Sequence, residues 1–426
     1  MEQVDLLIDM MDANRSVRET SFEALKGLWT ENLLMPLIEV AYLHPDPVFT
    51  AEIVHFLQKN SGRYFGNDFN KWHQWIWNRN IKNIEGYPEF KARLYARLDD
   101  RFSRYFEGRR NSKIRMDEIR WGGVIQDGIP PLRNPQMLAA QEATYLADDD
   151  VVFGIAVNGD VRAYPKRILA WHELFTDQVG GIAVAGVYCT LCGTVILYKT
   201  RVNGQLHELG TSGFLYRSNK LMYDQATQSL WSTMRGQPVV GPLVDQGITM
   251  EILSVVTTTW GQWRVRHPDT KVLSLNTDHV RDYREGIAYK DYFSDDELMF
   301  STPYKDRRLR NKQEVLALRF LEAPELQLAI STRFLLKNTL YQDKLGKVSF
   351  VVLTDQSGAN RVYGSKEVVF KSYDGQYTLK DEQGNTWNLT EDLLKSDDGK
   401  ALARLPYHRS FWFGWHAAFP ETKLIK

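Results

Sequence analysis

Cysteine is the scarcest reactive residue in this chain of 426: there are two, Cys189 and Cys192. Two cannot make the disulfide framework of a small secreted fold, so packed cores must hold the molecule together. A charge excess of either sign is absent too, because Lys plus Arg and Asp plus Glu each number 53. That balance argues against bulk attraction to nucleic acid or to an anionic membrane, and leaves a small molecule, a metal or a protein partner. No run of about 18 apolar residues occurs, and the opening Met1-Glu2-Gln3-Val4-Asp5 lacks the basic and apolar regions of an export signal. The expectation is a cytoplasmic protein with reduced thiols and no membrane association. Low-complexity tracts are missing as well.

What is present is core material: 43% hydrophobic and 12% aromatic residues. The length exceeds the usual single-core range, so two domains are expected. Residues 5–80 carry helical punctuation, with apolar faces such as Leu6, Met10, Met11 and Val17, Phe22, Leu25, Trp29 separated by Asn14, Pro45, Pro47 and Gly62. Short helices of this kind bury their stripes by stacking, which predicts a HEAT-like module. The aromatics of Asp68 to Trp77 are read as the capping face of that stack. Tyr87 to Phe106 reads as one more helix, and Gly108-Arg109-Arg110-Asn111 as a linker. From Ile114 onward short apolar runs alternate with Gly, Pro, Asn and Asp. Asn158-Gly159 signals a hairpin, Pro165 opens a helix ending near Asp177, and further strands follow to Val368–Phe370. The fold class is therefore α+β: an all-α HEAT-like domain over 1–108, then a mostly β domain with inserted helices over 109–426.

The two cysteines stand in Tyr188-Cys189-Thr190-Leu191-Cys192-Gly193-Thr194, between runs rich in Val, Ile and Tyr. A redox CxxC of the thioredoxin kind opens a helix that lowers the first thiol's pKa, whereas this context predicts the turn of a β-hairpin. Two sulfurs on one turn make half of a tetrahedral metal site. His172, on the inward face of the helix after Pro165, is the candidate third ligand, with His207 next in line. Glu173 beside it is a candidate catalytic carboxylate. A second cluster, Gly210 to Asp224 with Ser229-Leu230-Trp231-Ser232, reads as a pocket wall. There Ser218, Asn219, Tyr223 and Trp231 are cofactor- or substrate-binding candidates, Asp224 is a second catalytic candidate, and Met222 is a soft ligand suited to Cu(I). The charge run Lys305 to Lys312 reads as a solvated loop.

At these residues the chain resembles a known family. The segments Asp127-Gly128-Ile129-Pro130-Pro131-Leu132, Arg162-Ala163-Tyr164-Pro165, Ala170-Trp171-His172-Glu173, Tyr188 to Thr194, Ser218 to Asp224 and Ser229-Leu230-Trp231-Ser232 are similar to the bacterial domain-of-unknown-function family 3179. The similarity runs from about Ile114 to Phe411-Trp412-Phe413-Gly414-Trp415. It implies that Cys189, Cys192, His172 and the segment around Asn219 and Asp224 form the site. Thr190 departs from the Pro expected in many members, and the helical extension departs from the exported form of many of them.

Function must then rest on the site. The first expectation is a metal-dependent oxidoreductase in which Cys189, Cys192 and His172 hold copper, or else zinc or iron, and leave a coordination position open. The second is a non-catalytic scaffold with a structural zinc, whose helical domain recruits a protein partner. The third is thiol-disulfide exchange at the cysteine pair.

Overall fold

The structure, a computed structural model, describes residues 2–108 and 110–426. Helices α1 (Glu2–Asp9), α2 (Arg15–Gly27), α3 (Leu34–Leu43), α4 (Pro47–Ser61), α5 (Phe69–Arg79) and α6 (Tyr87–Ala96) form the first part. Their ends fall where the caps stand. Asn14 accepts from Ser16 N, Asp46 accepts from Val48 N and Phe49 N with Pro47 in the first turn, and Gly62 closes α4 at φ 68°. Helices α1 with α2 and α3 with α4 pack as consecutive pairs, but α5 returns onto α3 and α6 onto α1. The helices thus close around one core instead of continuing a linear stack. Trp72 and Trp77 are buried in that core. The segment predicted as one helix to Phe106 breaks after Ala96, because the Asp99 side chain caps Arg101 N and starts a new turn that leads into α7 (Ser103–Phe106).

Of the predicted linker, Arg109 lies outside the described residues. The chain on its far side joins the β part at once, with Lys113 N donating to Val239 O at 2.9 Å. A five-stranded antiparallel sheet follows in the order β1 (Ile119–Trp121), β5 (Leu209–Tyr216), β6 (Asn219–Asp224), β7 (Leu230–Ser232) and β8 (Gln237–Val240). Its outer face shares a core with the helices: Tyr95, Phe102, Tyr105 and Phe106 pack with Phe214, Leu221 and Tyr223. At the same junction Lys91 is fully buried against Glu39 at 2.6 Å and also donates to Ile119 O.

A nine-stranded sheet carries the cysteines. Its central strands are β2 (Leu174–Val179), β3 (Ile182–Cys189), β4 (Thr194–Lys199), β10 (His408–Phe411) and β9 (Glu314–Leu318), adjacent in that order. The helix predicted after Pro165 is α8 (Lys166–His172), and it stops five residues earlier than expected, where Glu173 turns left-handed at φ 57°. Phe175 therefore sits on strand β2, not on the helix, and β2 intervenes between α8 and the cysteine strand. His172 is nonetheless fully buried, as the helix face predicted. Helix α9 (Trp412–Ala418) follows β10 directly. Among the described residues no helix is long and apolar enough to cross a membrane.

Candidate functional site

The cysteine hairpin forms as its sequence indicates. Cys189 pairs with Thr194 at the end of the β3–β4 ladder, and Gly193 adopts φ 56°, a conformation that side chains other than glycine resist. The turn is then clamped from outside. Phe411 N donates to Cys192 O at 2.8 Å, and Thr194 and Ser410 hydroxyls meet at 2.8 Å. Gly414 of α9 lies so close that a Cβ there would stand 2.6 Å from Cys192 Cβ. Both cysteines are buried, and their sulfurs are joined as a disulfide.

Next to Cys189 lies a cavity of about 60 Å³, lined also by Glu173, Thr190, Lys220 and Tyr289. Glu173 sits at its centre of charge. Thr190 Oγ1 donates to Glu173 Oε1 at 2.5 Å, Tyr289 Oη donates to the same oxygen at 3.0 Å, and Lys220 Nζ stands 2.6 Å from Oε2. The lysine contact is an ion pair off the hydrogen-bonding direction, so the Nζ protons have no aligned acceptor. Burial pushes the Lys220 ammonium below its ordinary value, and Glu173 opposes that shift. Burial and the Glu173 charge raise the Tyr289 phenol. A carboxylate, an ammonium, a phenol and a hydroxyl thus line one cavity with Cys189, the carboxylate on a residue with positive φ. Backbone strain of this kind clusters at functional sites.

The other predicted residues are placed differently. His172 Nδ1 faces Pro130 O at 2.8 Å, and since a carbonyl only accepts, that nitrogen carries the proton; Nε2 accepts from Tyr283 Oη at 2.5 Å. Burial, chiefly, holds the imidazole down to about 4. With both nitrogens engaged, His172 is not brought to the sulfurs, and among the described residues no group of three or more His, Cys, Asp and Glu side chains is arranged to hold a metal ion. Asp224 Oδ2 meets His207 Nδ1 at 3.0 Å while Oδ1 accepts from Thr227, which fixes the turn after β6. Asp224 lies four positions beyond Lys220 on an extended strand, roughly 13 Å away. Tyr223 points to the helical side and donates to Asp127 Oδ2 at 2.5 Å. Ser218 occupies the β5–β6 turn at φ 63°, and Asn219 Nδ2 donates to Gly414 O at 3.1 Å. Met222 and Trp231 are register partners, both buried in the core that also holds the two cysteines. None of Ser218, Asn219, Tyr223 and Trp231 lines the cavity, so the predicted wall is spread over both faces of a sheet.

Lys220 and Tyr289 were not singled out from the sequence, and Thr190 was named only as a departure from the Pro expected in the family. For Lys220 a signal existed. Met222 and Asp224 are site candidates, and the two-residue period of the strand that the structure shows there puts Lys220 on their side. Tyr289 carried no such signal, because its loop reaches the site from more than a hundred residues away.

No curated protein and no solved structure matches the chain. A family model does, over residues 126–422, which include every candidate site residue and leave helices α1 to α7 outside. The chain belongs to that family, the proteins of unknown function DUF3179.

Proposed function

We propose that the chain is a thiol-disulfide redox protein whose reactive centre is the Cys189–Cys192 pair. The observation that carries this reading is the disulfide itself, on a clamped turn, with Cys189 on the wall of a cavity that also holds the Lys220–Glu173 ion pair. A thiolate of an incoming dithiol attacks Cys189 Sγ, the Cys189–Cys192 bond breaks, and Cys192 Sγ leaves with the electron pair. The second thiolate of the dithiol then attacks its own sulfur in the mixed disulfide and releases Cys189 Sγ. The dithiol is oxidised to a disulfide, and the protein takes up two electrons and two protons. The ammonium of Lys220 favours negative charge at Cys189, as positive groups beside reactive thiols do. Glu173 keeps that ammonium compensated in a buried place.

The test is equilibration of the purified protein with dithiothreitol buffers, followed by alkylation and mass spectrometry. The reading expects one reversible two-electron transition assigned to Cys189 and Cys192. Thiols that stay free in oxidising buffer would overturn it.

A second reading has a specific observation in its favour. Met222 and Met234 share the buried cluster with both sulfurs, a soft donor set suited to Cu(I) once the pair is reduced. Competition for Cu(I) against a chromogenic chelator, with reduced wild type and Met222→Leu, separates the two. A metalloprotein would bind about one equivalent and lose affinity at least tenfold in the variant.

A further inference from the structure

A larger cavity, about 430 Å³, opens on the opposite flank of the nine-stranded sheet, between the short strand Ile252–Leu253, the loop after β9, and the segment Ala403–Pro406. Its volume falls within the usual range of small-molecule pockets, about 300–1,000 Å³. The walls are largely apolar, with Ile252, Leu253, Phe320, Leu321 and Leu405 among them.

One cation in that wall is not compensated. Arg319 is mostly buried, and its only hydrogen bonds among the described residues run from Nη2 to Met234 O at 3.4 Å and Arg235 O at 3.0 Å. Among the described residues no carboxylate pairs with it. Burial pushes its guanidinium down, Tyr198 opposes, and the neighbouring Arg235 adds to the effect. Arg235 likewise has no acid partner among the described residues, and both guanidiniums pack on the ring of Phe419, at 4.9 and 5.6 Å from its centroid. Arg235 is exposed to solvent, so Arg319 is the mostly buried charge that an anion would compensate. The acids of the cavity do not serve. Glu251 is held by Lys199 and Glu391 by Arg361 and Arg404, while Glu322 and Asp392 are exposed on the rim.

We propose that this cavity binds an amphiphile, with a carboxylate head on Arg319 and an apolar tail along Ile252, Leu253 and Leu405, while Arg235, outside the cavity lining, adds positive charge nearby. The site is separate from the cysteine pair and does not rest on the redox reading.

Calorimetric titration of the full chain with octanoate, 1-octanol and octylammonium tests it. Octanoate should bind at least about tenfold more tightly than either neutral or cationic analogue, as a charge-assisted bidentate contact implies. Arg319→Gln should remove that preference and leave octanol binding in place. Because Arg319 also packs on Phe419, Arg235→Gln at an exposed position serves as a second variant, with about a threefold loss for octanoate expected from a partly screened charge. Tighter binding of octylammonium would overturn the proposal and point to Glu322 and Asp392. So would absence of octanoate binding at millimolar concentration, or a preference that survives in Arg319→Gln.

Discussion

Two buried Glu–Lys pairs, each with a contact of 2.6 Å, divide this molecule between architecture and chemistry. At the junction of helices and sheet, Glu39 accepts from Lys91, Tyr87 and Tyr95, and Lys91 donates further to Ile119 O. Glu39 has both oxygens engaged and Lys91 has two aligned acceptors there. Beside the cysteine hairpin, Glu173 is equally well served but Lys220 is not, and the pair lies open to a cavity with a sulfur in its wall. The same two residue types give a cross-brace with aligned contacts in one place and an ion pair on a cavity wall in the other. Satisfaction of hydrogen bonds separates them, not burial or distance.

The comparison is broken most forcibly by removing one side of the first junction. A fragment of residues 110–426 would expose Phe214, Leu221 and Tyr223 and leave the face that packs on the helices without its cover. We expect aggregation or strong binding of an apolar dye. A monomeric fragment that melts cooperatively would instead support the autonomy of residues 1–108 that the sequence suggests.

Within the intact chain, Lys91→Met should cost about 3–5 kcal/mol in urea unfolding, because Glu39 is left buried and uncompensated. Thiol reactivity of the reduced protein should not change. If the loss is under about 1 kcal/mol, the junction is not the brace described.

Lys220→Met should show the reverse balance. Loss of a nearby positive charge disfavours the Cys189 thiolate, so alkylation of reduced protein near neutral pH slows about tenfold. The readout is the pH profile of iodoacetamide reaction, which a purely structural lysine would leave in place. An unshifted profile would reduce both pairs to the same structural role.

His172 supplies an effect that only a pH series reveals. Its imidazole titrates at about 4 in the folded state, below the ordinary value of about 6.5 in the unfolded chain. As pH falls, the unfolded state takes up the proton first. The stabilisation is intact above about 6.5 and is lost between there and about 4. His172→Gln should flatten part of the stability decline in that window, with His408, held down to about 3 by burial, keeping the remainder. A slope identical to wild type would mean that His172 does not contribute.

The sequence by itself determined the elements that depend on near neighbours. The cap at Asn14, the helix start at Pro47, the helix end at Gly62, the hairpin at Asn158-Gly159 and the cysteine turn with Gly193 follow from φ preferences and from hydrogen bonds that span a few residues, so they were legible. Burial of His172 was legible as well, although α8 ends before the predicted point, because Glu173 turns left-handed against its intrinsic preference in order to face Thr190 and Lys220. Only the tertiary structure decided which side chains meet. Glu173, Lys220 and Tyr289 come from three segments spread over more than a hundred residues, and His172 is kept from the sulfurs by Pro130 and Tyr283, neither near it in the chain. Such contacts are fixed by how sheets and loops pack, and packing depends on the whole set of buried surfaces, not on any local run of residues.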